Sequence, residues 1–299
     1  MFFKKIFLPL LFLEVALLIF VSFCYAIMVH SWNAIWPEWA TIVIPVLLSL
    51  IILLLIKDKF LKIILSEKYE EQLRRRASIV LLICLPILTT VLFSGLSQSL
   101  RYNFGKVLTI NSINELKANE TPAFLQVNDW YVDRMRVIPL KTLSRPNFFD
   151  FDKYKANLLF IVPIFSNKDA YKTHAMAWLA FEYEADFSEE ELKEGLDTKF
   201  LNGSLTHFKR MNIREFRYLE AYPRNEHYNA FMQMAQIHNY YKSGFGNVYK
   251  GQEVDRDILS AHFFKYFLFL FAIAGIPGLF IISGILKFLL GKSVILAKE

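Results

Sequence analysis

The chain has 299 residues, of which 55% are hydrophobic and 29 are phenylalanine, and its formal net charge is +6. The segment 101–262 contains 21 basic and 21 acidic residues, so the positive charge belongs to the rest of the chain. There the apolar residues are concentrated in four runs of the length that crosses a bilayer core of about 30 Å. A basic balance placed around such runs indicates anionic lipid and excludes nucleic-acid binding as a function class.

The sequence predicts a polytopic α-helical membrane protein with four transmembrane helices and an α+β extracytoplasmic domain between helices 3 and 4. The first run is longer than the 7 to 15 residues of a signal-peptide core and therefore predicts a retained helix. The predicted parts are a membrane region 1–100 with helices 6–29, 40–56 and 78–98, an extracytoplasmic domain 101–262, and a final part 263–299 with helix 266–290 and a short cytoplasmic tail.

Charge placement predicts the orientation of these helices. The loop 57–77 carries seven basic residues against four acidic ones, whereas the loop 30–39 has no lysine or arginine. Cytoplasmic loops are enriched in lysine and arginine. Both termini are therefore predicted to be cytoplasmic and the domain 101–262 to lie outside. The compact arrangement with short loops is typical of a bacterial inner membrane protein.

One acidic residue, Glu14, interrupts the first apolar run. A carboxylate at the bilayer centre costs about 2.5 to 3.5 kcal/mol on insertion scales, so a partner or a function is expected. Ser49 lies at a matching depth of the second run and is the predicted partner for a protonated Glu14 within the chain. A lysine or arginine of a partner subunit is the alternative for an assembly contact. A tolerated isolated carboxyl and a proton-coupling residue are the other readings.

The last run contains a pair of small residues, Ala274 and Gly278, spaced four apart in "AIAGIPGLF". Small residues at this spacing let two membrane helices approach closely. The pair predicts a helix-packing contact.

Short strand patterns alternate with helix signals in the segment 101–262. "AFLQVNDWYVD" and "RMRVIPL" predict strands with a turn at Asn128-Asp129, and "NLLFIVPIF" predicts a buried strand beside "HAMAWLAFEYEA". Pro163 within that buried run argues for an edge or a bulge. Ser188 followed by Glu191 predicts a helix start, Gly203 its end, and Pro223 the start of a later helix. The cysteines, Cys24 and Cys84, lie in the predicted spans, so no disulfide is expected in this domain.

No catalytic, cofactor-binding or metal site is predicted. The six histidines are scattered, and His227 and His238 would stand about 16 Å apart along one helix, too far to share an ion. Gly244 and Gly246 lack the third glycine and the leading strand of a dinucleotide motif, which favours a turn.

The segments "LTINSINEL", "FLQVNDWYVD", "LLFIVPIF", "FSEEELKEGLDTKFLN" and "LEAYPRNEHYNAFMQMA" resemble an extracytoplasmic region that accompanies some bacterial rhomboid-family membrane proteins. That resemblance would imply an intramembrane serine protease only together with the family's catalytic core. The sequence departs from that core, because Gln98 stands where the motif after Gly95 and Ser97 needs glycine. Ser97 and His262 are the available serine–histidine pair.

The sequence therefore predicts a non-enzymatic accessory or scaffold subunit, in contact with membrane lipid, whose outer domain binds a protein partner or that forms a homo-oligomer. A proton-coupled transporter component using Glu14 is the rival, and a rhomboid-like protease the third reading. Aromatic residues of the outer domain are candidates for an interface with a partner. They are Trp130, Tyr131, Phe148, Phe149, Tyr240, Tyr241 and Phe245.

Overall fold

The computed structural model describes residues 3–32, 38–64, 71–144, 153–167 and 173–296. The chain divides into two compact units, which we call the helical unit and the sheet unit. The helical unit is Met1–Gly105 together with Arg256–Glu299, and the sheet unit is Lys106–Asp255.

The helices and strands follow one another as α1 (Leu8–Trp32), α2 (Glu38–Ile64), α3 (Glu71–Phe104), β1 (Val107–Ser112), β2 (Phe124–Asp129), β3 (Tyr131–Val132), β4 (Ile138–Ser144), β5 (Lys153–Phe165), β6 (Ala177–Ser188), α4 (Glu189–Lys193), α5 (Leu196–Arg210), β7 (Tyr218–Ala221), α6 (Glu226–Gln236), β8 (Val248–Gln252), α7 (Arg256–Leu270) and α8 (Ile276–Leu296). A π-helical turn, Phe3–Phe7, precedes α1, and a second, Phe271–Gly275, joins α7 to α8.

In the described part of the chain, four helices are long and apolar enough to span a membrane: Phe3–His30, Trp39–Ile64, Glu71–Phe104 and Arg256–Leu289. The four predicted apolar runs form these helices. The helices continue into the polar residues that flank each run, because charged side chains do not stop a helix that is already formed. The 34 residues of α3 span about 51 Å at 1.5 Å per residue, well beyond an apolar core of about 30 Å.

Leucines at helical spacing bury the shared face of the helical unit, where Leu10, Leu85 and Leu92 have no exposed surface. Glycines bring α3 against the last helix. A Cβ at Gly275 would lie 3.3 Å from Leu92, and one at Gly278 would lie 3.1 Å from Leu88. Small residues therefore set the distance between these two helices.

Of the predicted pair, Gly278 lies against Leu88 of α3, and Ala274 is half-buried. Gly275, the residue after Ala274, is buried and approaches Leu92 of the same helix. Ala274 and Gly275 both belong to the π-helical turn Phe271–Gly275. The packing contact predicted for Ala274 stays a prediction.

The sheet unit is built on one eight-stranded mixed sheet in the order β1-β2-β7-β8-β6-β5-β3, with β4 also paired to β5. The β1–β2 and β6–β8 pairs are parallel, and the others are antiparallel. Sheet and helices in one unit are compatible with the predicted α+β class.

The strand β5 is buried from Ala156 to Phe165 and pairs with β6 along its full length, as the sequence predicted for these neighbours. Pro163 lies inside this central strand and not at an edge. Its register partner in β6 is Trp178, whose backbone N–H donates to the Asn247 carbonyl on the side of β6 away from β5. The backbone nitrogen and carbonyl of Pro163 therefore point away from β6. On the side to which they point, the pairing of β5 with β4 ends at Ile161 and its pairing with β3 begins at Ile164. Pro163 lies between these two partners, so its missing N–H removes no ladder hydrogen bond.

Helices cover both faces of the central strands. Phe231 of α6 is buried in a cluster with Ile161 and Trp178 on one face. On the other face the Phe208 ring of α5 packs against the rings of Phe160 and Phe181. Alternate residues of β5 and β6 thus enter two cores, which explains their unbroken apolar runs.

Local signals were predicted with mixed success. Ser188 caps α4 in a full capping box with Glu191, as predicted. The prediction of a turn at Asn128-Asp129 is wrong, because both residues belong to β2. That strand pairs with β1 and β7 and not with β3. Gly203 lies inside α5, and the break after α4 falls at Gly195, whose φ of +74° favours glycine.

Candidate functional site

The carboxyl of Glu14 is buried inside the helical unit with no exposed surface. Its described partner is Thr89 of α3, whose Oγ1 lies 3.2 Å from Glu14 Oε2, and not Ser49 as predicted. Ser49 is also fully buried, but its hydroxyl makes no hydrogen bond with the residues that the structure describes. Depth along a helix was the basis for choosing Ser49, and depth does not determine which side of the helix faces α1.

Thr89 has a second acceptor close by. Its Oγ1 lies 2.9 Å from the carbonyl of Leu85, one turn earlier in the same helix. A hydroxyl has one hydrogen, so it cannot donate fully to both oxygens. If Glu14 were protonated, as the sequence predicts, its own hydrogen could go to Thr89 while Thr89 donates to Leu85.

Glu14 faces the interior of the helical unit and not its outer surface. An ion pair with a lysine or arginine of a partner subunit would require α1 and α3 to separate. The contact therefore joins helices of the same unit. Its other oxygen, Oε1, is buried without a hydrogen-bond partner among the described residues.

The serine and histidine considered for a protease are not brought together. Ser97 donates its hydroxyl to the carbonyl of Ser94 at 2.9 Å within α3. His262 is exposed on α7. In the described part of the chain no bond joins Ser97 to His262, so the pair lacks the hydrogen bond by which a histidine would activate a serine.

A second site, which the sequence did not predict, opens within the sheet unit between β6 and β8. These parallel strands pair at Trp178–Val248 and Leu179–Tyr249, and then they separate. The space between them is a cavity of about 660 Å³ lined by residues 180–182 and Glu184 of β6, by residues 250–254, and by Phe216 and Tyr222 among others. We call it the β6–β8 groove.

The floor of the groove is apolar. The ring of Phe216 lies against Gly251 so closely that a Cβ there would overlap it, and its centroid is 6.4 Å from that of Phe181. Phe181 in turn packs on Phe208 of α5. Gly251 is required here by close approach and not by its backbone angles.

Two side chains, one directly after β7 and one on α6, fix the position of Glu182 in the groove wall. Tyr222, directly after β7, donates its hydroxyl to Glu182 Oε2 at 2.6 Å, and His227 of α6 contacts Oε1 through Nδ1. Nearby, Gln252 donates to the buried Glu220 at 2.6 Å. These bonds immobilise one carboxylate and place it at the groove, where a ligand can meet it without a further ordering cost.

The charges that line the groove are mainly negative. They come from Glu182, Glu184 and Glu253, and among the described lining residues Lys250 is the one lysine or arginine. Glu184 also forms an ion pair of 2.7 Å with Lys155, and the hydrogen bond between them raises the pKa of Lys155. Both side chains of that pair are more than 40% exposed, so it contributes at most about 1 kcal/mol and can exchange partners.

The backbone of both walls faces the groove without a strand partner. The backbone N–H of Trp178 donates to the Asn247 carbonyl at 2.8 Å, on the β8 side of β6. Backbone groups alternate in direction along a strand, so those of Glu182 and Glu184 also point toward β8. The Val248 carbonyl accepts from the Tyr222 N–H on the β7 side of β8. Three residues later the backbone groups of Gly251 point to the opposite side, toward β6. Beyond Leu179–Tyr249 the described chain supplies no pairing for these groups of β6 and Gly251.

The predicted interface aromatics contribute little to this site. Tyr131, Tyr240 and Tyr241 pack against the core beneath α6. Trp130 and Phe245 are half-buried, and Phe148 and Phe149 lie outside the described residues.

Comparison of the chain with protein-family models, with curated proteins and with solved structures found no match to any of them.

Proposed function

We propose that this protein is an integral membrane accessory or scaffold subunit that crosses the membrane four times and binds a protein partner through its sheet unit. The β6–β8 groove is the observation that carries the proposal. Its apolar floor, fixed carboxylate and open strand edges are features of protein-recognition surfaces.

The orientation in the membrane follows from the lysine and arginine bias. We place both termini in the cytoplasm and the sheet unit on the opposite side of a bacterial inner membrane. A reporter enzyme that is active only outside the cytoplasm should be active when fused after residue 150 and inactive when fused at residue 68. The reverse pattern would overturn this orientation.

Extraction in mild detergent tests the partner. The tagged protein should co-purify with a second protein, or a second copy of itself, at a fixed stoichiometry. Glu253→Arg reverses an exposed charge of the groove and should reduce the yield of that partner about tenfold, while Glu194→Arg, an exposed glutamate outside the groove, should leave it unchanged. Retention of the partner in both variants, or loss in both, would contradict binding through the groove.

The second candidate is a proton-coupled transporter component. It is favoured by the buried Glu14, whose Oε1 has no hydrogen-bond partner among the described residues. Acid-driven proton uptake by proteoliposomes discriminates between the two functions. A scaffold subunit gives the same flux as empty liposomes. A proton-coupled component gives a flux that Glu14→Gln abolishes.

A further inference from the structure

We infer that the occupant of the β6–β8 groove is an extended, basic polypeptide segment that adds to the sheet as a strand between β6 and β8. This inference rests on the proposed function and specifies the class of partner that it requires. The three features that carry it are the unpaired backbone groups, the division of the lining between an apolar and an acidic side, and the direction of the two walls.

The first feature is the set of backbone groups at the groove that have no strand partner among the described residues. Glu182 and Glu184 of β6 and Gly251 of β8 turn their N–H and C=O groups toward the groove, and each wall is already held on its other side, β6 by β5 and β8 by β7. An exposed strand edge is a template for another strand. Here two edges face one cavity, so a single inserted strand can bond on both sides, in contrast to addition at an outer edge.

The lining predicts the side-chain pattern of that strand. Phe181 and Phe216 lie on the face of the sheet that carries α5, whereas Glu182 and Glu184 lie on the opposite face with Trp178 and α6. Successive side chains of a strand point to opposite faces. An inserted strand that places apolar residues over the phenylalanines therefore places the alternate residues among the carboxylates. Lysine or arginine at those alternate positions matches the charge.

The direction of the walls is the third feature. Because β6 and β8 are parallel, one inserted strand has the same orientation relative to both of them. Both ladders can then form in a single register. Were the walls antiparallel, the inserted strand would have to pair parallel on one side and antiparallel on the other.

Binding of synthetic peptides to the full-length protein tests this inference. The protein is placed in nanodiscs of phosphatidylcholine, so that a basic peptide finds no anionic lipid. The probe is a fluorescein-labelled eight-residue peptide that alternates valine and lysine, with capped ends. Fluorescence anisotropy should show saturable binding of this peptide and about tenfold weaker or no binding of the valine–glutamate counterpart.

Two changes separate strand addition from simple charge attraction. N-methylation of alternate residues of the valine–lysine peptide removes N–H groups but keeps its charge, and should weaken binding about tenfold or more. The double variant Glu184→Lys with Glu253→Lys should weaken binding of the unmodified peptide by about the same factor, while Glu189→Lys with Glu194→Lys, outside the groove, should not.

The outcomes divide clearly. Equal binding of the N-methylated peptide, or of the acidic peptide, would overturn strand addition by a basic segment. Absence of binding by every peptide would overturn it as well. If a partner is nevertheless captured from membranes and is lost in Glu253→Arg, the proposed function stands and the inference about its partner's chemistry falls. If no partner is captured but the basic peptide binds, the groove accepts a basic strand as inferred, and the proposed function as a partner-binding subunit falls.

Discussion

Replacement of Trp178 by alanine is expected to lower the free energy of unfolding of the sheet unit by about 3 to 5 kcal/mol. Its side chain has no exposed surface and packs edge-to-face on His238 with ring centroids 5.1 Å apart. Trp178 is also the first residue of the short β6–β8 ladder, so its loss removes packing at the point where the groove closes. Domains of this size are stable by about 5 to 15 kcal/mol in total, so this loss is a large fraction.

Urea-dependent proteolysis of the full-length protein measures this effect, because the sheet unit is cleaved only when it unfolds. Trp178→Phe is the matched variant and should lose less than half as much. It keeps an aromatic ring, and the indole N–H that it removes makes no hydrogen bond with the described residues. Trp130→Ala is the control for a half-buried tryptophan. Similar midpoints for Trp178→Ala and Trp130→Ala would contradict the assignment of Trp178 to the core.

Thr89→Val is expected to destabilise the helical unit by about 1 to 2 kcal/mol, because it leaves the buried Glu14 carboxyl without its described partner. Valine has nearly the shape of threonine, so packing changes little. Thr90→Val is the matched control. Thr90 donates to the carbonyl of Pro86 at 2.8 Å within its own helix, and its loss removes no contact between helices.

A second substitution identifies the source of this cost. Glu14→Leu in the Thr89→Val background should restore most of the lost stability, because it removes the polar group that Thr89 satisfied. Glu14→Gln alone should be close to neutral, since its amide can still donate to Thr89. Thermal unfolding in detergent, followed by far-UV circular dichroism, gives the midpoints of the four proteins in this cycle: the wild type, Thr89→Val, Glu14→Leu and the double variant. Additive effects of the two substitutions would show that Glu14 and Thr89 do not interact.

Segment-level features of this fold could be predicted from the sequence. The four apolar runs, the pairing of β5 with β6 and the capping box at Ser188 are each encoded within a few tens of consecutive residues. Hydropathy and cap chemistry act at that range, so a local pattern is enough. The Asn128-Asp129 turn was wrong because residues typical of turns also occur at the end of a strand, and the pairing of β2 with β1 and β7 decided the outcome.

Features that depend on two distant segments could not be predicted. The partner of Glu14 is decided by which side of α3 faces α1, and this depends on the packing of the whole helical unit. The contact of Gly275 with α3 falls in a π-helical turn that has no clear sequence signature. The β6–β8 groove arises where strands about 70 residues apart in the sequence separate, and its one sequence signal is Gly251, because a glycine inside a strand often marks a close approach of another group.

The guanidinium of Arg256 binds the carbonyls of Tyr102 and Gly105, the latter at 2.9 Å, and so joins the first residue of α7 to the end of α3. Ser99 and Ser260 reinforce the junction with their hydroxyls 3.1 Å apart. The chain therefore leaves and re-enters the helical unit at neighbouring points. Such a junction makes the intervening 150 residues a cassette in an otherwise continuous hairpin, and another folded module with adjacent ends could be grafted there without changing the register of the helices.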